Sequence, residues 1–586
     1  MSPRTVHFLC LTAVLSFFLL GFCGSSAFAQ VPGCDVTDMG KLAPASPWPL
    51  TIASAGLNTT LAAPAVYCDV VGSVTTNGEG AGPGTAGIEI GLPEPGTWNG
   101  KYLFLGNGGL GEGLTAAFSA AVEGLQKGYA VVTTDMGHSS PGNPFYGNWA
   151  LLSPGVPNTP ALIDYYYRAT HETAIVGKEF VEAYYRANGS QGKIARSYYQ
   201  GCSTGGRQGL LEAERYPDDF DGFIAGDPVA GFAHQAPSQT GAEFAFLRPI
   251  SAWIPPNLLP VIDAALYAKC DPNHVGVIQN PAACSFNPQS LLCKGGSTAN
   301  CLSQDQVNGL IRYGGPFYDE YGNTVMPGYP ITDLSAPGAG IQVMTLGVVP
   351  PVSTTPPDPE PWSAGPPGLP VHWGASDGTF PYFVFLTESY NQQDFPITFF
   401  GNRGVIAEWA LQLNDLRTDL GDTTYPDQLQ RFAHGDKKMI LYHGLSDPLI
   451  TPYQTMQLYE DTASITPGGY AELQESIRLF MVPGMFHCGG GPGPNTFDVL
   501  TALEEWVEQH KAPDGIIASG SVTPNCPAGD KGRTMPLCKF PEVATYSGSG
   551  DVCDAANWKC DPRNHDLLKL GYDGHLAGLP YSYLGR

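Results

Sequence analysis

Short apolar runs alternate with stretches of helical periodicity in the N-terminal part of the chain. The runs at 101–105, 129–134 and 197–200 have the length of buried strands, and each ends at glycine or a polar residue. Apolar and aromatic residues recur at helical spacing over 161–188, and Gly189 ends that pattern. Strands that alternate with helices in this way predict an α/β fold.

This alternation stops after Asp227 and Pro228. The segment that follows is rich in proline and aromatic residues and lacks regular strand and helix patterns. Strand patterns return at 438–443 and 477–482, and a helical pattern follows at 497–510. The predicted division is a core of residues 30–227 and 434–586 with an inserted lid at 228–433.

The extreme N-terminus has the pattern of a secretory signal peptide. Arg4 precedes an apolar run at 8–22, and small residues around Ala27 and Ala29 follow it. The run is too short and wrongly flanked for a transmembrane span. We therefore expect residues 1–29 to be removed and the mature protein to be secreted or periplasmic.

Charge narrows the range of partners. Acidic residues outnumber basic ones by 54 to 29, which gives a formal net charge of −25. A negative surface repels phosphate backbones and anionic lipids. We therefore expect neither nucleic acid nor membrane as a partner.

The strand pattern at 197–200 leads into Gly201-Cys-Ser-Thr-Gly205, a G-x-S-x-G pentapeptide followed by a helical pattern. A strand, a sharp turn and a helix form the context of a nucleophile elbow, in which the turn exposes the serine. The N-terminus of the helix adds positive potential beside it. Ser203 is therefore the predicted nucleophile, and the alternative is a glycine-rich turn with an incidental serine.

Two later loops carry the partners that a serine nucleophile needs. Asp447 and His487 each follow a late strand pattern. An imidazole takes the proton of the serine, and a carboxylate fixes the tautomer of the imidazole. The order Ser203, Asp447, His487 is that of an α/β-hydrolase triad. His443 is the alternative histidine and Asp436 the alternative acid. His443 lies inside the strand pattern at 438–443, however, and Asp436 precedes that pattern rather than following it.

A glycine cluster, Gly106-Asn-Gly-Gly109, follows the strand pattern at 101–105. Without side chains in the way, backbone N–H groups there can point at a ligand. We expect the N–H groups of Gly108 and Thr204 to form an oxyanion hole. The alternative for the cluster is a plain turn.

Cysteine usage indicates disulfides. Of 14 cysteines, two lie in the predicted signal peptide, which leaves an even set of 12 in an oxidising compartment. Cys202 directly precedes Ser203, and Cys488 directly follows His487. If the serine and the histidine meet, these two cysteines lie close enough to bond, so a Cys202–Cys488 disulfide is predicted.

Three motifs together resemble the tannase and feruloyl esterase family, which also includes the hydrolase of mono-hydroxyethyl terephthalate: Gly201-Cys-Ser-Thr-Gly-Gly-Arg207, His443-Gly-Leu-Ser-Asp-Pro448 and Gly484-Met-Phe-His-Cys-Gly489. The resemblance runs from about Cys34 to Cys560. It implies an α/β-hydrolase fold with a large lid and the triad named above. It also implies a serine carboxylesterase for small esters of aromatic acids, of the feruloyl or galloyl type. Terephthalate monoesters or other aryl esters are the alternative substrates.

The resemblance also bears on cysteines and calcium. It implies the pairs Cys34–Cys68, Cys270–Cys284, Cys293–Cys301 and Cys538–Cys560, and it leaves Cys526–Cys553 as a further pair. The family usually has a calcium loop after the position of Cys270, but here only Asp271 remains of its aspartates. Calcium needs six or more oxygen ligands. We therefore expect the calcium site to be lost or weakened, and we expect no cofactor or metal.

A hydrolase fold without catalysis, used only for binding, is the alternative from another class of protein. It predicts that a member of the triad is missing. Ser203, Asp447 and His487 are all present, and function resides in such a site rather than in the fold. The sequence therefore favours an enzyme.

Overall fold

A nine-stranded mixed sheet forms the centre of the chain in the computed structural model. The described residues are 33–59, 66–138, 140, 144–271, 273–281, 284, 286–295, 299–318, 324–351, 370–387, 424–520, 526 and 532–561. The predicted signal peptide, residues 1–29, lies outside them.

The strands confirm the predicted α/β class. In chain order they are β1 Leu50–Asn58, β2 Tyr67–Thr76, β3 Gly84–Pro93, β4 Lys101–Leu105, β5 Ala130–Thr134, β6 Leu151–Ser153, β7 Val156–Pro157, β8 Arg196–Cys202, β9 Gly222–Gly226, β10 Phe317–Tyr318, β11 Thr324–Met326, β12 Lys438–Gly444, β13 Ile477–Val482, β14 Pro494–Thr496, β15 Gly515–Gly520, β16 Arg533–Cys538, β17 Ala544–Tyr546 and β18 Trp558–Cys560. The large sheet has the order β1-β2-β3-β5-β4-β8-β9-β12-β13. Its pairs are antiparallel from β1 to β5 and parallel from β5 to β13.

The helices lie mainly in the connections between these strands. In chain order they are α1 Val36–Leu42, α2 Leu114–Phe118, α3 Ala121–Gln126, α4 Thr159–Ile163, α5 Ala169–Ala187, α6 Thr204–Arg215, α7 Phe232–Leu247, α8 Leu259–Cys270, α9 Gln304–Gly314, α10 Val371–Thr379, α11 Pro426–Ala433, α12 Pro452–Ile465, α13 Tyr470–Leu473 and α14 Val499–Gln509. The helical pattern predicted over 161–188 forms α4, a π-helical segment at Asp164–Arg168, and α5. Within the described residues, no helix has both the length and the hydropathy that a membrane span needs.

The core lies on both faces of the large sheet. Adjacent residues of a strand point to opposite faces, so Phe104 packs with Phe180 of α5, whereas Leu103 packs with Leu503 and Trp506 of α14. All five are buried. Because both faces are covered, parallel strands such as β4 and β12 are largely apolar runs, which is why they could be located from the sequence.

The segment between β9 and β12 has a hydrophobic cluster of its own. Phe244 of α7 contacts Trp373 of α10, with ring centroids 6.3 Å apart. Arg312 of α9 donates to the carbonyl of Arg248 at the end of α7. The apolar pattern does not predict α7, because every residue of this helix whose side chain is described is buried, including Gln235, Gln239 and Glu243, so the helix lacks the exposed polar face of an amphipathic helix. The division into core and lid stays a prediction, and parts of the segment, 352–369 and 388–423, lie outside the described residues.

Six disulfides join cysteines of the described chain. They are Cys34–Cys68, Cys202–Cys488, Cys270–Cys284, Cys293–Cys301, Cys526–Cys553 and Cys538–Cys560. Five of the six close loops of 34 residues or fewer in sequence separation, whereas Cys202–Cys488 spans 286. This long-range bridge joins the end of β8 to the loop after β13.

Candidate active site

Ser203 occupies a tight turn between β8 and α6. Its backbone has a φ of 62°, in the left-handed region, and its N–H donates to the carbonyl of Gly226 at 3.0 Å. A side chain on Gly201 would collide with the backbone of Gly205. The two glycines of the pentapeptide therefore allow the close approach of strand and helix that pushes the serine outward.

The glycine cluster after β4 lies against the start of α6. Thr204 Oγ1 donates to the carbonyl of Gly109 at 2.6 Å. The N–H of Gly108 donates to Asn107 Oδ1 at 2.7 Å, so it is engaged inside its own loop. Gly109, with Ser203 and Thr204, lines the adjoining cavity. The predicted oxyanion role of Gly108 does not fit this arrangement, because its donor already has a partner.

Asp447 and His487 are in direct contact. They lie in the loops after β12 and β13, which are parallel neighbours. His487 Nδ1 donates to Asp447 Oδ2 at 2.7 Å. The other oxygen of Asp447 accepts the N–H groups of Leu449 at 2.7 Å and Ile450 at 3.0 Å. These bonds orient the carboxylate toward the imidazole and fix the tautomer with a bare Nε2.

The Cys202–Cys488 disulfide brings Ser203 beside this pair. Its two Cα atoms are 5.9 Å apart, and each cysteine is the chain neighbour of a candidate catalytic residue. Among the described residues, Ser203 and His487 make no direct hydrogen bond to each other. Such bonds are often long or poorly aligned before substrate binds. Ser203, Asp447 and His487 thus lie at one site. Of the two hydrogen bonds of a triad, the one between His487 and Asp447 is formed.

Asp227 and His443 complete a buried cluster around the pair. An oxygen of Asp227, an oxygen of Asp447 and a ring nitrogen of His487 all lie within 4.8 Å of one another. His443 Nε2 lies 3.3 Å from Asp447 Oδ2 and 3.5 Å from Asp227 Oδ1. Sequence reasoning used Asp227 only as a boundary. Its position directly after β9, at the same sheet edge as the other site residues, is the signal that could have identified it.

Burial and charge shift the pKa values of these groups in different directions. Burial raises the pKa of Asp227, and the charge of Asp447 adds to the increase. Burial would also raise the pKa of Asp447, but His487 and His443 outweigh it and hold this pKa well below its usual range. Burial would lower the pKa of His487, but Asp447, followed by Asp227 and Glu112, raises it overall.

A cavity of about 50 Å³ adjoins Ser203. Its wall is largely apolar, and Gln235 and Gln239 of α7 add two buried amides. The apolar lining residues are Leu110, Phe145, Val229, Phe232, Ala236, Ala375, Leu449 and Ile450. A mainly apolar cavity with a few polar groups is typical of a site for a small organic molecule.

Asp271 is the acid that remains from the calcium loop implied by the resemblance. Its Oδ1 accepts the N–H of Val275 at 2.8 Å, and its Oδ2 accepts the N–H of Gly276 at 2.7 Å. Both oxygens therefore stabilise their own loop, and the residues present do not fit a calcium site. The expectation that the protein needs no metal stays a prediction.

One further group of potential metal ligands lies on the core, away from the loops just described. His171, Glu212 and Asp219 offer ligand atoms within 4.8 Å of one another. His171 Nδ1 donates to Asp219 Oδ2 at 2.7 Å. Burial raises the pKa of Glu212 well above its usual range. The hydrogen bond between His171 and Asp219, with Glu212 beside it, accounts for this group without an ion.

Known proteins resemble this chain over most of its length. A family model described as tannase and feruloyl esterase matches residues 68–561. An uncharacterized esterase of Xanthomonas campestris pv. campestris is 31% identical over 541 residues, which cover 86% of this chain and 85% of that protein. The mono(2-hydroxyethyl) terephthalate hydrolase of Piscinibacter sakaiensis is 30% identical, over 84% of each chain.

A solved structure has the same fold. Feruloyl esterase B from Aspergillus oryzae matches with a TM-score of 0.68 at 24% sequence identity. The match covers 87% of this chain and 96% of that one. The chain therefore has a fold that has been determined experimentally.

The negative charges of Asp447 and Asp227 predict a raised pKa for His487. NMR of histidine-labelled protein should give this residue a pKa above the usual value of about 6.5, because Asp447 holds the protonated form. Asp447→Asn should lower that pKa by more than Asp227→Asn does, since Asp447 contributes the larger increase. The His487→Gln variant assigns the signal.

Asp227→Asn is the matched control, because an asparagine oxygen can still accept the N–H of Gly444 as Asp227 Oδ1 does. A pKa of His487 below 6.5 in the unmodified protein, or equal shifts in the two variants, would contradict the electrostatic assignment.

Proposed function

The chain belongs to the tannase and feruloyl esterase family and is a carboxylic ester hydrolase, and from that premise we propose that it is an exported serine esterase for esters of aromatic acids. The proposed acids are hydroxycinnamic acids of the feruloyl type, or gallic acid. The observation that carries the proposal is the hydrogen bond from His487 to Asp447, in a site that a disulfide joins to Ser203.

We further propose an α/β-hydrolase fold with a lid at 228–433. The carboxyl ends of the parallel strands β8, β12 and β13 lead directly to Ser203, Asp447 and His487, as that fold requires. The segment between β9 and β12 supplies α7, whose residues Phe232 and Gln235 line the cavity beside the serine. These placements support a lid that covers the substrate.

In the proposed mechanism, Ser203 Oγ attacks the ester carbonyl while His487 Nε2 takes its proton. Asp447 retains the Nδ1 proton and stabilises the imidazolium that forms. The C–O bond to the alcohol then breaks, and His487 gives the proton to the departing oxygen. Water, deprotonated by the same imidazole, hydrolyses the acyl-enzyme and releases the aromatic acid.

The oxyanion of each tetrahedral intermediate needs backbone donors. We assign the N–H groups of Thr204 and Gly109, both of which line the cavity with Ser203. Gly109 replaces Gly108 in this role because the Gly108 N–H donates to Asn107 Oδ1. Loss of one oxyanion donor typically slows such enzymes by about 10² to 10³.

Export is part of the proposal. Six disulfides form and persist in an oxidising compartment, which supports a secreted or periplasmic protein. The net charge of −25 disfavours nucleic acid and anionic membranes as partners. The proposed partner is a small aromatic ester, and no cofactor takes part in the mechanism.

A second candidate substrate is a terephthalate monoester. The observation in its favour is the relative from Piscinibacter sakaiensis, named mono(2-hydroxyethyl) terephthalate hydrolase and 30% identical to this chain. The catalytic steps would be the same. The candidates differ in the acyl group: terephthalate has a carboxylate opposite the ester, gallate has hydroxyl groups on its ring, and a hydroxycinnamate also has a vinyl spacer between the ring and the ester carbonyl.

A substrate panel of methyl ferulate, methyl gallate and mono(2-hydroxyethyl) terephthalate tests the function. We expect turnover of at least one aromatic ester, and Ser203→Ala should lower kcat by a factor on the order of 10⁶. Because the mechanism needs neutral His487, kcat/KM should rise with pH through the raised pKa of that residue.

Ser197→Ala, at the opposite end of β8, is the matched control and should keep its activity. Activity in folded Ser203→Ala, judged by circular dichroism and thermal melting, would rule out the serine mechanism.

Removal of the Cys202–Cys488 disulfide tests its positioning role. The double variant Cys202→Ser, Cys488→Ser should lose roughly tenfold or more in kcat/KM, because a small misplacement of the base slows the reaction steeply. Loss of a disulfide also lowers the free energy of unfolding by about 2 to 4 kcal/mol, so the assay temperature is kept below the melting transition.

The double variant Cys34→Ser, Cys68→Ser is the control. Cys68 lies in β2, four strands from β8, or roughly 20 Å at the usual strand spacing. This variant should lose stability but keep kcat/KM. Equal activity losses in both double variants would show that the effect is one of general stability.

A further inference from the structure

A buried hydrogen-bond acceptor without a partner lies in the cavity wall. We propose that Gln235 is a specificity-determining residue whose Oε1 accepts a hydrogen bond from a hydroxyl group on the acyl part of the substrate. The inference rests on the proposed esterase function and goes further, because it identifies the residue that distinguishes hydroxylated acids from their analogues.

The orientation of the Gln235 amide is fixed by its other end. Nε2 donates to the carbonyl oxygen of Leu449 at 3.0 Å. A backbone carbonyl can only accept, so the NH₂ group must face Leu449 and the oxygen must face away from it. Gln235 is 4% exposed, and within the described residues its Oε1 has no hydrogen-bond partner.

An unpaired buried acceptor is unfavourable, because it has lost its hydrogen bonds to water without replacement. Most buried polar groups in proteins are paired, and an exception calls for an explanation. Gln235 lines the same cavity as Ser203 and Thr204. The missing hydrogen bond is assigned to a donor on a substrate bound in this cavity.

The acceptor is held in a fixed relation to the catalytic residues. Leu449, which anchors the amide of Gln235, donates its own N–H to Asp447 Oδ1 at 2.7 Å. The same loop thus orients the triad carboxylate and the specificity residue. Phe232, three residues before Gln235 on α7, also lines the cavity, and positions three apart share a helix face. The wall therefore offers an aromatic surface beside a polar acceptor.

This combination selects the chemistry of the ligand. A phenolic hydroxyl can donate to Gln235 Oε1, whereas the carboxylate of a terephthalate monoester has no proton to donate at neutral pH. Among the described residues that line the cavity, none is lysine, arginine or histidine. The inference therefore ranks hydroxylated aromatic acids above carboxylated ones.

The test compares two pairs of methyl esters that differ only in a hydroxyl group: 4-hydroxycinnamate with cinnamate, and 4-hydroxybenzoate with benzoate. Unmodified protein should prefer the hydroxylated member of at least one pair by about tenfold or more in kcat/KM, because a site built to bind a hydroxyl discriminates against its absence. Gln235→Met keeps the length of the side chain and removes the acceptor. In this variant, the ratio of the two kcat/KM values should approach the ratio of the rates at which the two esters hydrolyse without enzyme. The change should come mainly from a lower kcat/KM for the hydroxylated ester.

Gln457→Met is the matched variant, because Gln457 of α12 is also a buried glutamine whose Oε1 has no hydrogen-bond partner within the described residues, but it does not line the cavity. It should leave the ratio within each pair as in the unmodified protein. Gln235→Leu serves as a second variant if Gln235→Met melts at a much lower temperature.

Three results would overturn the inference: no preference in either pair, a preference that survives loss of the Gln235 amide, or faster turnover of monomethyl terephthalate than of the hydroxylated esters. A protein that hydrolyses none of these esters would instead overturn the proposed function itself, and the inference with it. The ratio of kcat/KM within a pair separates a role in specificity from a structural role. A general loss of stability lowers kcat/KM for both esters of a pair by the same factor.

Discussion

The Cys202–Cys488 disulfide is the constraint on which the candidate site depends. In the large sheet, β8 and β13 are separated by β9 and β12, or roughly 14 Å at the usual strand spacing. The loop after β13 must cross that distance for His487 to reach the serine. Its course depends on backbone turns such as Cys488, with φ of 59°, and on the bond from Gly493 N–H to the carbonyl of Gly484. The disulfide then fixes the end of this loop to the elbow.

Behind the disulfide, a buried electrostatic cluster determines the state of the imidazole. The cluster has four titratable groups in a largely desolvated space. His443 lies within 3.5 Å of both Asp227 and Asp447, and atoms of Asp227, Asp447 and His487 lie within 4.8 Å of one another. Two histidines and two backbone N–H groups favour the charged form of Asp447 and hold its pKa below the usual range. The same loop then anchors Gln235 through the carbonyl of Leu449. Catalysis and substrate selection are therefore connected through one short segment after β12.

Sequence reasoning located residues that follow strongly patterned strands and missed those that depend on side-chain packing. Ser203, Asp447 and His487 could be predicted because each comes directly after a buried apolar run. The sequence could not favour Gly109 over Gly108 as the proposed oxyanion donor, because that choice depends on where the Asn107 side chain points. The α7 helix escaped prediction because its described side chains, polar ones included, are buried. The proposed role of Gln235 depends on an oxygen that has no partner among the described residues, which the sequence cannot show.

The central claim is that Ser203 is a nucleophile activated by the tethered His487. The most direct measurement is peptide mapping by mass spectrometry after reaction with a serine-directed aryl phosphonate. The account predicts a single adduct on the tryptic peptide that contains Ser203, and no adduct at the same exposure in a folded His487→Gln variant. Absence of an adduct from the unmodified protein, or an adduct on another residue, would contradict it.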